Sequence, residues 1–513
     1  MTAHRLDAGE AIALVRPVGT RIDALSLYAA LSEGGTRRDT MLIERSAGPT
    51  LILDRPALRV ECRGQDVVVT AGDEGDRTAL AVLAEHFADR VVEAGPDTAR
   101  LRFPRVAGAD PVERLTASSP FDVLRFLSTG FKVRSQEEPF TLAALGVVAF
   151  DHVDLIEDLP GPTADPLQFP DFLFWLARSL VVIEPGGAAR LVVTAFGEAG
   201  EDTGRAYFDA VQRLRDLELR CAAARPLAGR PAPAISGAAE VDLSDPEFEH
   251  LVGAMKAHIA AGEVYQIVPS RTFRAPCPDP IGAFARLRVR DPSPYHFFVA
   301  GPDHLLFGAS PETSVRIFEG ADSRMVEVKP IAGTRRRGST DDEDDRLEAE
   351  MRLDHKELAE HMMLVDLARN DVARVSERGS RRVSGLLTVE RYARVMHLVS
   401  SVTGRLRAGY DAVHALQACL NVGTLSGAPK IRATELIRLA ERTKRGPYGG
   451  AIGWLNGAGL LDTGVIIRSA VVQGDTAFVR AGAGVVHDSD PAAEADETRR
   501  KASALLSVLG ASV

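Results

Sequence analysis

The chain has 513 residues, 45% of them hydrophobic and 26% charged, so it can bury a large core and divide into more than one unit. Its net charge of −10 argues against a nucleic-acid-binding protein, because phosphate binding needs a concentrated positive surface. It lacks both a run of about 18 apolar residues and an apolar N-terminal signal segment, so we expect a cytoplasmic protein that does not bind membranes.

The first 222 residues mix short β-like runs with two helices. Apolar runs predict strands at 41–44, 50–54, 66–70, 179–184 and 190–194, and helical periodicity appears at 79–88 and 204–221. From 223 to 241 the chain is rich in Ala, Pro and Gly and has no periodicity, which indicates a linker. We therefore predict an N-terminal region of residues 1–222 and a C-terminal region of residues 242–513.

The C-terminal region opens with a clear helix start. Ser244 and Glu247 have the spacing of a capping box, and apolar residues follow at helical spacing as far as Gly262. Residues 264–269 then alternate like a strand that carries Gln266.

Two more helices are predicted further along the chain. Residues 341–375 read as one long, charged helix. A last helix is expected from Pro491 to Leu509, with Asp490 as its N-cap.

The cysteines do not point to a metal or a disulfide. Cys62, Cys221, Cys277 and Cys419 are scattered, and their spacing matches no zinc site. We predict four reduced, mostly buried thiols.

Two pairs of glutamates, Glu357/Glu360 and Glu494/Glu497, stand three residues apart in predicted helices. Residues at this spacing lie on one helix face, so each pair brings two carboxylates together. A solvated face or the helix dipole explains one pair alone. Two pairs with no cysteine nearby suit a hard cation such as Mg²⁺. From the residues alone, a solvated acidic face and a metal site are equally good interpretations of the two pairs.

Four other features are individually ambiguous. Gly423–Lys430 is a glycine-rich turn before a helix that could hold a carboxylate, but it is not a P-loop, because no Ser or Thr follows the lysine. The turn with Gly482 and Gly484 lacks the third glycine of a dinucleotide site. Glu312 at a strand end and His397 in an apolar run are more often structural than acid–base catalysts.

Nine segments of this kind follow one another in a fixed order: Gly262-Glu-Val-Tyr-Gln266, Gly308-Ala-Ser-Pro-Glu312, Pro330-Ile-Ala-Gly-Thr334, His355-Lys-Glu-Leu-Ala-Glu-His361, Met396-His-Leu-Val, Gly423-Thr-Leu-Ser-Gly-Ala-Pro-Lys430, Ile467-Arg-Ser, Ala481-Gly-Ala-Gly484 and Ala495-Asp-Glu-Thr-Arg-Arg-Lys501. The series resembles the chorismate-utilising enzymes, most closely anthranilate synthase component I. The likeness is dense over residues 242–513 and thinner but continuous before them. It implies an α+β fold in which two large antiparallel β-sheets pack as a sandwich with helices on the outside.

The resemblance implies a role for each site residue. Glu360 and Glu497 would bind Mg²⁺ directly, and Glu357 and Glu494 through water, so that the ion holds the ring carboxylate of chorismate. The enolpyruvyl side would be held by Tyr448, Arg468, Gly484 and Lys501, with Gly333, Thr334, Thr424 and Gly482 lining the site. Neutralising a dianion before attack is the reason for these cations. Glu312 would be the general acid for the departing 4-hydroxyl, and His397 would serve the later elimination of pyruvate.

Two positions select the reaction within the family. Relatives that add water carry a lysine base where this chain has Gln266, and aminodeoxychorismate synthases carry a nucleophilic lysine where it has Ala332. This leaves attack of ammonia at ring carbon 2. No Gly-x-Cys-x-Gly-x-Gln motif surrounds a cysteine, so ammonia would come from a separate glutamine amidotransferase subunit or from solution. We also expect an oligomer.

The family's tryptophan feedback pocket is degenerate here. The usual Leu-Leu-Glu-Ser reads Leu42-Ile-Glu-Arg-Ser46, and the usual Asn-Pro-Ser-Pro-Tyr-Met reads Asp291-Pro-Ser-Pro-Tyr-His296. The residues of the altered pocket are Glu44, Ser46, Asp291, Pro292, Ser293, His296 and Trp454, the last where Tyr is common. We predict weak or absent inhibition by tryptophan.

Two end products stay open on the sequence. One is anthranilate, formed after pyruvate elimination. The other is 2-amino-2-deoxyisochorismate (also called 2-amino-4-deoxychorismate), released before elimination in secondary metabolism. The retained His397 mildly favours elimination. The intact set of site residues disfavours a non-catalytic scaffold for a glutaminase.

Overall fold

The fold is taken from a computed structural model that describes residues 6–18, 23–105, 110–134, 137–161, 164–197, 204–229, 234, 237–392 and 395–513, without the side chains of Thr334 and Lys356. The helices are α1 (Ala24–Leu31), α2 (Arg77–His86), α3 (Pro111–Thr116), α4 (Phe121–Thr129), α5 (Arg205–Ala223), α6 (Asp245–Ala260), α7 (Pro280–Arg290), α8 (Asp341–Leu353), α9 (His355–Val375), α10 (Ala412–Cys419), α11 (Lys430–Glu441) and α12 (Pro491–Leu509).

The strands fall into two runs along the chain. The first comprises β1 (Glu10–Val18), β2 (Thr40–Arg45), β3 (Thr50–Arg63), β4 (Asp66–Ala71), β5 (Val91–Ala94), β6 (Thr98–Arg102), β7 (Lys132–Val133), β8 (Ala144–Val148), β9 (Phe172–Ile183), β10 (Ala189–Phe196) and β11 (Glu240–Val241). The second comprises β12 (Gln266–Ile267), β13 (Ser270–Pro276), β14 (Tyr295–Ala300), β15 (Leu305–Ser310), β16 (Thr313–Glu319), β17 (Arg324–Val328), β18 (Ile331–Arg336), β19 (Arg382–Arg391), β20 (Val395–Arg405), β21 (Gly427–Ala428), β22 (Ala451–Leu455), β23 (Leu461–Val465), β24 (Ser469–Gln473) and β25 (Thr476–Gly482).

Most of these strands form two large antiparallel sheets. One runs β11, β13, β25, β24, β15, β14 and β2, and the other runs β8, β22, β23, β16, β17 and β20. The long strands β3 and β9 pass from one sheet into the other. Residues 50–53 of β3 pair with residues 180–183 of β9, whereas residues 58–62 pair with 172–176. Between them the register shifts around Pro56, which lacks a backbone donor and so favours an irregular ladder.

The apolar residues occupy three layers. Side chains of both sheets, among them Leu145, Trp175 and Phe297, meet in an interior core. Helices α1, α5, α7 and α12 bury their apolar faces on the outer side of the first sheet. Helices α2, α3, α4, α9 and α10 do the same on the second sheet. The predicted sandwich with external helices is therefore confirmed.

The two predicted regions contribute to the same sheets. Strand β2 pairs with β14, and β8 pairs with β22, across the linker. Within the linker, α5 extends to Ala223 and β11 begins at Glu240.

Several local predictions are confirmed. Ser244 and Glu247 form the capping box of α6, and Asp490 caps α12, which spans the expected residues. All four cysteines are buried and unpaired. In the described part of the chain, no helix combines the length and the apolar character that a bilayer crossing requires.

The prediction of one helix over residues 341–375 is wrong, because the chain breaks at Asp354. Asp354 has an extended backbone (ψ 107°), and its carboxylate accepts a hydrogen bond of 3.2 Å from the Glu357 amide. The same carboxylate pairs with Arg335 at 3.0 Å. A side chain that caps the following helix competes with continuation of the preceding one. The break starts α9 with Glu357 in its first turn.

The strand predicted at 264–269 is shorter than expected. Only Gln266 and Ile267 form a ladder, and their partner is β21. Residue 429, which follows β21, is Pro429 and has no amide to extend the ladder. The short strand still fixes Gln266, which is almost completely buried.

Candidate active site

A cavity of about 290 Å³ lies where β20, α12 and the loop after α7 approach one another. Its walls include the predicted catalytic His397 and the predicted substrate-binding Arg468. They also include Asp291, Pro292 and Ser293, which the sequence analysis placed in the altered regulatory pocket. The two sets of residues therefore line one space.

Glu312 is a buried carboxyl in the link between β15 and β16. Burial raises its pKa to about 7, although a hydrogen bond from Thr424 and the charges of Lys501 and Arg468 partly oppose this rise. The Thr424 Oγ1 atom donates to Glu312 Oε1 at 2.9 Å. Near neutral pH such a group exists in both protonation states and can donate a proton.

Lys501 links the end of β25 to the acidic face of α12. Its Nζ atom donates to the Gly482 carbonyl at 3.0 Å and lies 2.6 Å from Glu497 Oε1. Burial alone would lower the pKa of Lys501, but the Glu497 carboxylate, with smaller contributions from Tyr448 and Glu360, raises it above its usual value. The ammonium therefore stays charged. A Cβ atom on Gly482 would lie 3.0 Å from the Tyr448 hydroxyl, so the glycine leaves room for this group.

Gln266 lies against the first acidic pair. Its Nε2 atom donates to Glu360 Oε1 at 3.4 Å, and its Oε1 atom is buried with no hydrogen-bond partner in the described part of the chain. A Cβ atom on Gly484 would come within 2.9 Å of Gln266 Nε2, so Gly484 provides the space that Gln266 occupies. An orphaned buried acceptor of this kind calls for a donor from a ligand or from water.

Gly333 connects the first acidic pair with His397. It has a φ of +70°, and a Cβ atom there would lie 3.2 Å from Glu357 Oε2. Its carbonyl lies 3.3 Å from His397 Nδ1. Burial lowers the pKa of His397, so the imidazole is neutral at neutral pH and can act as a base. The backbone of Thr334 pairs with His397 in the sheet, but its side chain lies outside the described residues.

The two acidic pairs are linked through Lys501, and the carboxylates of Glu357, Glu360 and Glu497 already have cationic neighbours. Glu357 pairs with Arg335 at 2.9 Å, whereas Glu360 and Glu497 both act on the Lys501 ammonium. Glu494 is buried in the first turn of α12. Within the described ranges, no three His, Cys, Asp or Glu side chains lie close enough together to hold a metal ion. Carboxylate oxygens are nevertheless the ligands that Mg²⁺ prefers, so the donor set fits this ion chemically.

A buried charge network holds these groups in place and was not predicted from the sequence. Arg445 donates to the carbonyls of Leu425 and Val268, both at 2.6 Å, and to the Glu441 carboxylate. Its guanidinium also lies over the Tyr448 ring, 5.8 Å from the centroid. One side chain thus joins the loop of Thr424, the strand of Gln266 and the loop of Tyr448. In the sequence, Arg445 is one of three basic residues between 442 and 445, and nothing there marks it as buried.

A second unpredicted interaction joins Asp291 to Arg468. The Asp291 Oδ2 atom lies 3.0 Å from Arg468 Nη1. Arg468 has a left-handed backbone with φ +46°, which costs a non-glycine residue about 1–3 kcal/mol and must be imposed by its surroundings. The sequence analysis treated these two residues as members of separate pockets.

The altered regulatory residues are largely brought together by the pairing of β2 with β14. Glu44 stands opposite His296, and the Ser46 amide donates to the Pro294 carbonyl at 2.9 Å. Burial raises the pKa of Glu44, which pairs with Arg288 at 2.6 Å.

Two bulky side chains complete this region. Arg45, the residue inserted between the acid and the serine, pairs with Asp462 at 3.1 Å. Trp454, in contrast, packs against Phe140 in the core between the sheets.

Comparisons with known proteins show the family to which the chain belongs. A family model described as chorismate binding enzyme matches residues 90–507. The chain is 47% identical over 501 residues to the pyocyanine-specific anthranilate synthase component 1 of Pseudomonas aeruginosa, covering 95% of this chain and 92% of that one. It is 42% identical over 508 residues to anthranilate synthase component 1 of Vibrio cholerae, covering 95% and 94%.

A solved structure extends the likeness to three dimensions. Anthranilate synthase component I from Streptococcus pneumoniae matches with a TM-score of 0.68 at 28% identity, covering 90% of this chain and 92% of that one. The chain belongs to the chorismate binding enzyme family.

The raised pKa of Glu312 predicts how its replacement changes stability with pH. Between pH 4.5 and about 7 the unfolded chain ionises this carboxyl while the folded chain keeps its proton, so the wild-type protein loses stability as the pH rises. The Glu312→Gln variant has no titratable group at this position, so its stability does not fall in this way. Relative to wild type, its free energy of unfolding should rise by about 3 kcal/mol between pH 4.5 and pH 8.

Chemical unfolding followed across this pH range measures the difference. Glu319→Gln, an exposed carboxyl on the adjacent β16, is the control and should show no comparable trend. A pH-independent difference for Glu312→Gln would show that Glu312 has an ordinary pKa.

Proposed function

We propose that this chorismate binding enzyme is the aminating component of an anthranilate synthase and converts chorismate and ammonia into anthranilate and pyruvate. Relatives that are 42% and 47% identical over most of the chain carry the name anthranilate synthase component 1. The observation that carries the proposal is Glu312, a buried acid with a pKa of about 7 near two cationic side chains. A dianionic substrate that loses a hydroxyl group needs both features.

Chorismate carries two carboxylates, and the side chains of the site offer cationic partners for one of them. Lys501 and Arg468 would hold the enolpyruvyl carboxylate, with Tyr448 beside them. On the ring side the chain presents carboxylates, so a bound cation would be needed there to hold a second carboxylate. Glu360 and Glu497 would bind Mg²⁺ directly and Glu357 and Glu494 through water. When bound, the ion neutralises the ring carboxylate.

The first chemical step is a substitution. Ammonia forms a bond to ring carbon 2, the ring double bonds shift, and the bond from carbon 4 to its hydroxyl oxygen breaks. Glu312 gives its proton to the departing oxygen, which leaves as water. The new ammonium group loses a proton to solvent. Thr424 holds the Glu312 carboxyl in position through its hydrogen bond of 2.9 Å.

The second step is an elimination. The neutral imidazole of His397 removes the proton from ring carbon 2, and the bond from carbon 3 to the enolpyruvyl oxygen breaks. The ring becomes aromatic as anthranilate, and the enolate of pyruvate takes up a proton as it leaves. A proton on His397 Nδ1, directed to the Gly333 carbonyl, makes Nε2 the basic atom.

Ammonia rather than water is the proposed nucleophile. The position of a hydrating lysine base is taken by Gln266, whose buried Oε1 atom lacks a partner in the described residues and can accept a hydrogen bond from ammonia. The names of the relatives imply a second component, and we propose that a glutamine amidotransferase subunit supplies the ammonia. The same names favour anthranilate over release of the aminated intermediate.

Product analysis tests this function. Incubation of the chain with chorismate, Mg²⁺ and ammonium salt should yield anthranilate and pyruvate in equal amounts, detected by mass spectrometry. A product that keeps the enolpyruvyl group would contradict the assignment of the elimination step. Absence of any turnover would contradict the proposed function.

The metal assignment predicts the behaviour of Glu497→Gln. Loss of one ligand charge should lower turnover by at least about 100-fold and raise the Mg²⁺ concentration needed for half-maximal activity. Asp496→Asn, which removes a neighbouring carboxylate on the same helix, is the matched control. Because Glu497 also pairs with Lys501, the Mg²⁺ requirement decides its role. An unchanged requirement would contradict a metal ligand at this position.

The altered regulatory pocket predicts insensitivity to tryptophan. An amino-acid ammonium group would need the Glu44 carboxylate, which Arg288 already engages. Steady-state activity should therefore stay within about twofold of its uninhibited value at millimolar tryptophan. A low-micromolar inhibition constant would contradict this.

A further inference from the structure

Residues of its own loop hold Asp291 in place, and its carboxylate contacts Arg468. The Ser293 hydroxyl donates to Asp291 Oδ1 at 2.6 Å, and the Asp291 carbonyl lies 2.7 Å from His296 Nε2. The other carboxylate oxygen lies 3.0 Å from Arg468 Nη1. Asp291 is therefore held in place by its own loop, and its negative charge is directed at the guanidinium.

Arg468 keeps hydrogen-bonding capacity beyond this contact. A guanidinium carries five N–H donors, and Asp291 occupies one nitrogen. The Arg468 side chain is 30% exposed, against 13% for Asp291, and both residues line the cavity that contains His397. A second carboxylate in this cavity can bind Arg468, but only close to the first.

We propose that Asp291 is an internal counter-ion that weakens the binding of chorismate to Arg468. The inference rests on the proposed function, in which Arg468 holds the enolpyruvyl carboxylate. Two carboxylates on one guanidinium repel each other, and a partly buried site screens that repulsion less than water does. The Asp291 charge therefore lowers the affinity for the substrate and speeds the departure of pyruvate, the anion released from the same place.

The charge of Asp291 can be removed with little change of shape. Asp291→Asn carries no charge and keeps one acceptor oxygen for Arg468, while its amide nitrogen can donate to the Ser293 hydroxyl. Its dissociation constant for chorismate, measured by calorimetry with Mg²⁺ and without ammonia, should fall about fivefold to tenfold. KM should fall in parallel, kcat should change by less than about twofold, and pyruvate should inhibit the variant more strongly.

Two further variants control for net charge and for packing. Asp475→Asn removes the same charge from an exposed turn and should leave the chorismate affinity unchanged. Asp291→Ser removes the charge with a different shape and should also tighten binding. This variant keeps the proposal testable if the asparagine disturbs the loop.

A double-mutant cycle shows whether the effect acts through Arg468. In an Arg468→Gln background, Asp291→Asn should no longer change the dissociation constant, because the counter-ion has lost its partner. Unchanged or weaker chorismate binding by both Asp291 variants, in a protein whose wild type binds and turns over chorismate, would overturn the counter-ion and leave the proposed function intact. Failure of the wild type to bind chorismate would overturn both.

Discussion

Arg445 and Glu441 form an ion pair of 2.6 Å that is nearly sealed from solvent, and the active site is assembled around it. Breaking a buried pair by removing one partner typically costs about 3–5 kcal/mol, because the other charge is left without compensation. Here both partners are fully engaged. Glu441 also accepts from the Ser270 hydroxyl and from Arg480, and Arg445 binds two backbone carbonyls. These contacts therefore fix the positions of three chain segments, distant in the sequence, relative to one another.

The surrounding site is governed by charge balance. Arg335 compensates Glu357, Lys501 compensates Glu497, and Arg468 compensates Asp291. Glu312 has no ion-pair partner among the residues that the structure describes, and burial raises its pKa. In the proposed function, a dianionic substrate and a divalent cation would have to replace these existing ion pairs when they bind. In the proposed function, the affinity for chorismate would therefore depend also on Asp291, which touches Arg468 rather than the substrate.

The sequence predicted the secondary-structure elements better than it predicted the long-range contacts between them. The α12 helix and its Asp490 cap follow from local signals, and the ordered motifs indicate the family and hence the sandwich. The break at Asp354 was missed, because it depends on one carboxylate that caps the following helix and pairs with Arg335 from another strand. The Arg445 network and the Asp291–Arg468 pair were missed for the same reason. The contact of Arg445 with Val268 and the Asp291–Arg468 pair join distant parts of the chain, and periodicity carries no information about such contacts.

The central claim of the proposal is that Glu357/Glu360 of α9 and Glu494/Glu497 of α12 bind one divalent cation beside the substrate. Anomalous diffraction from crystals grown with Mn²⁺ and chorismate, without ammonia, tests it most directly. The account predicts one anomalous peak bonded to carboxylate oxygens of both Glu360 and Glu497. A cation bound elsewhere, or bound by only one of these helices, would contradict it.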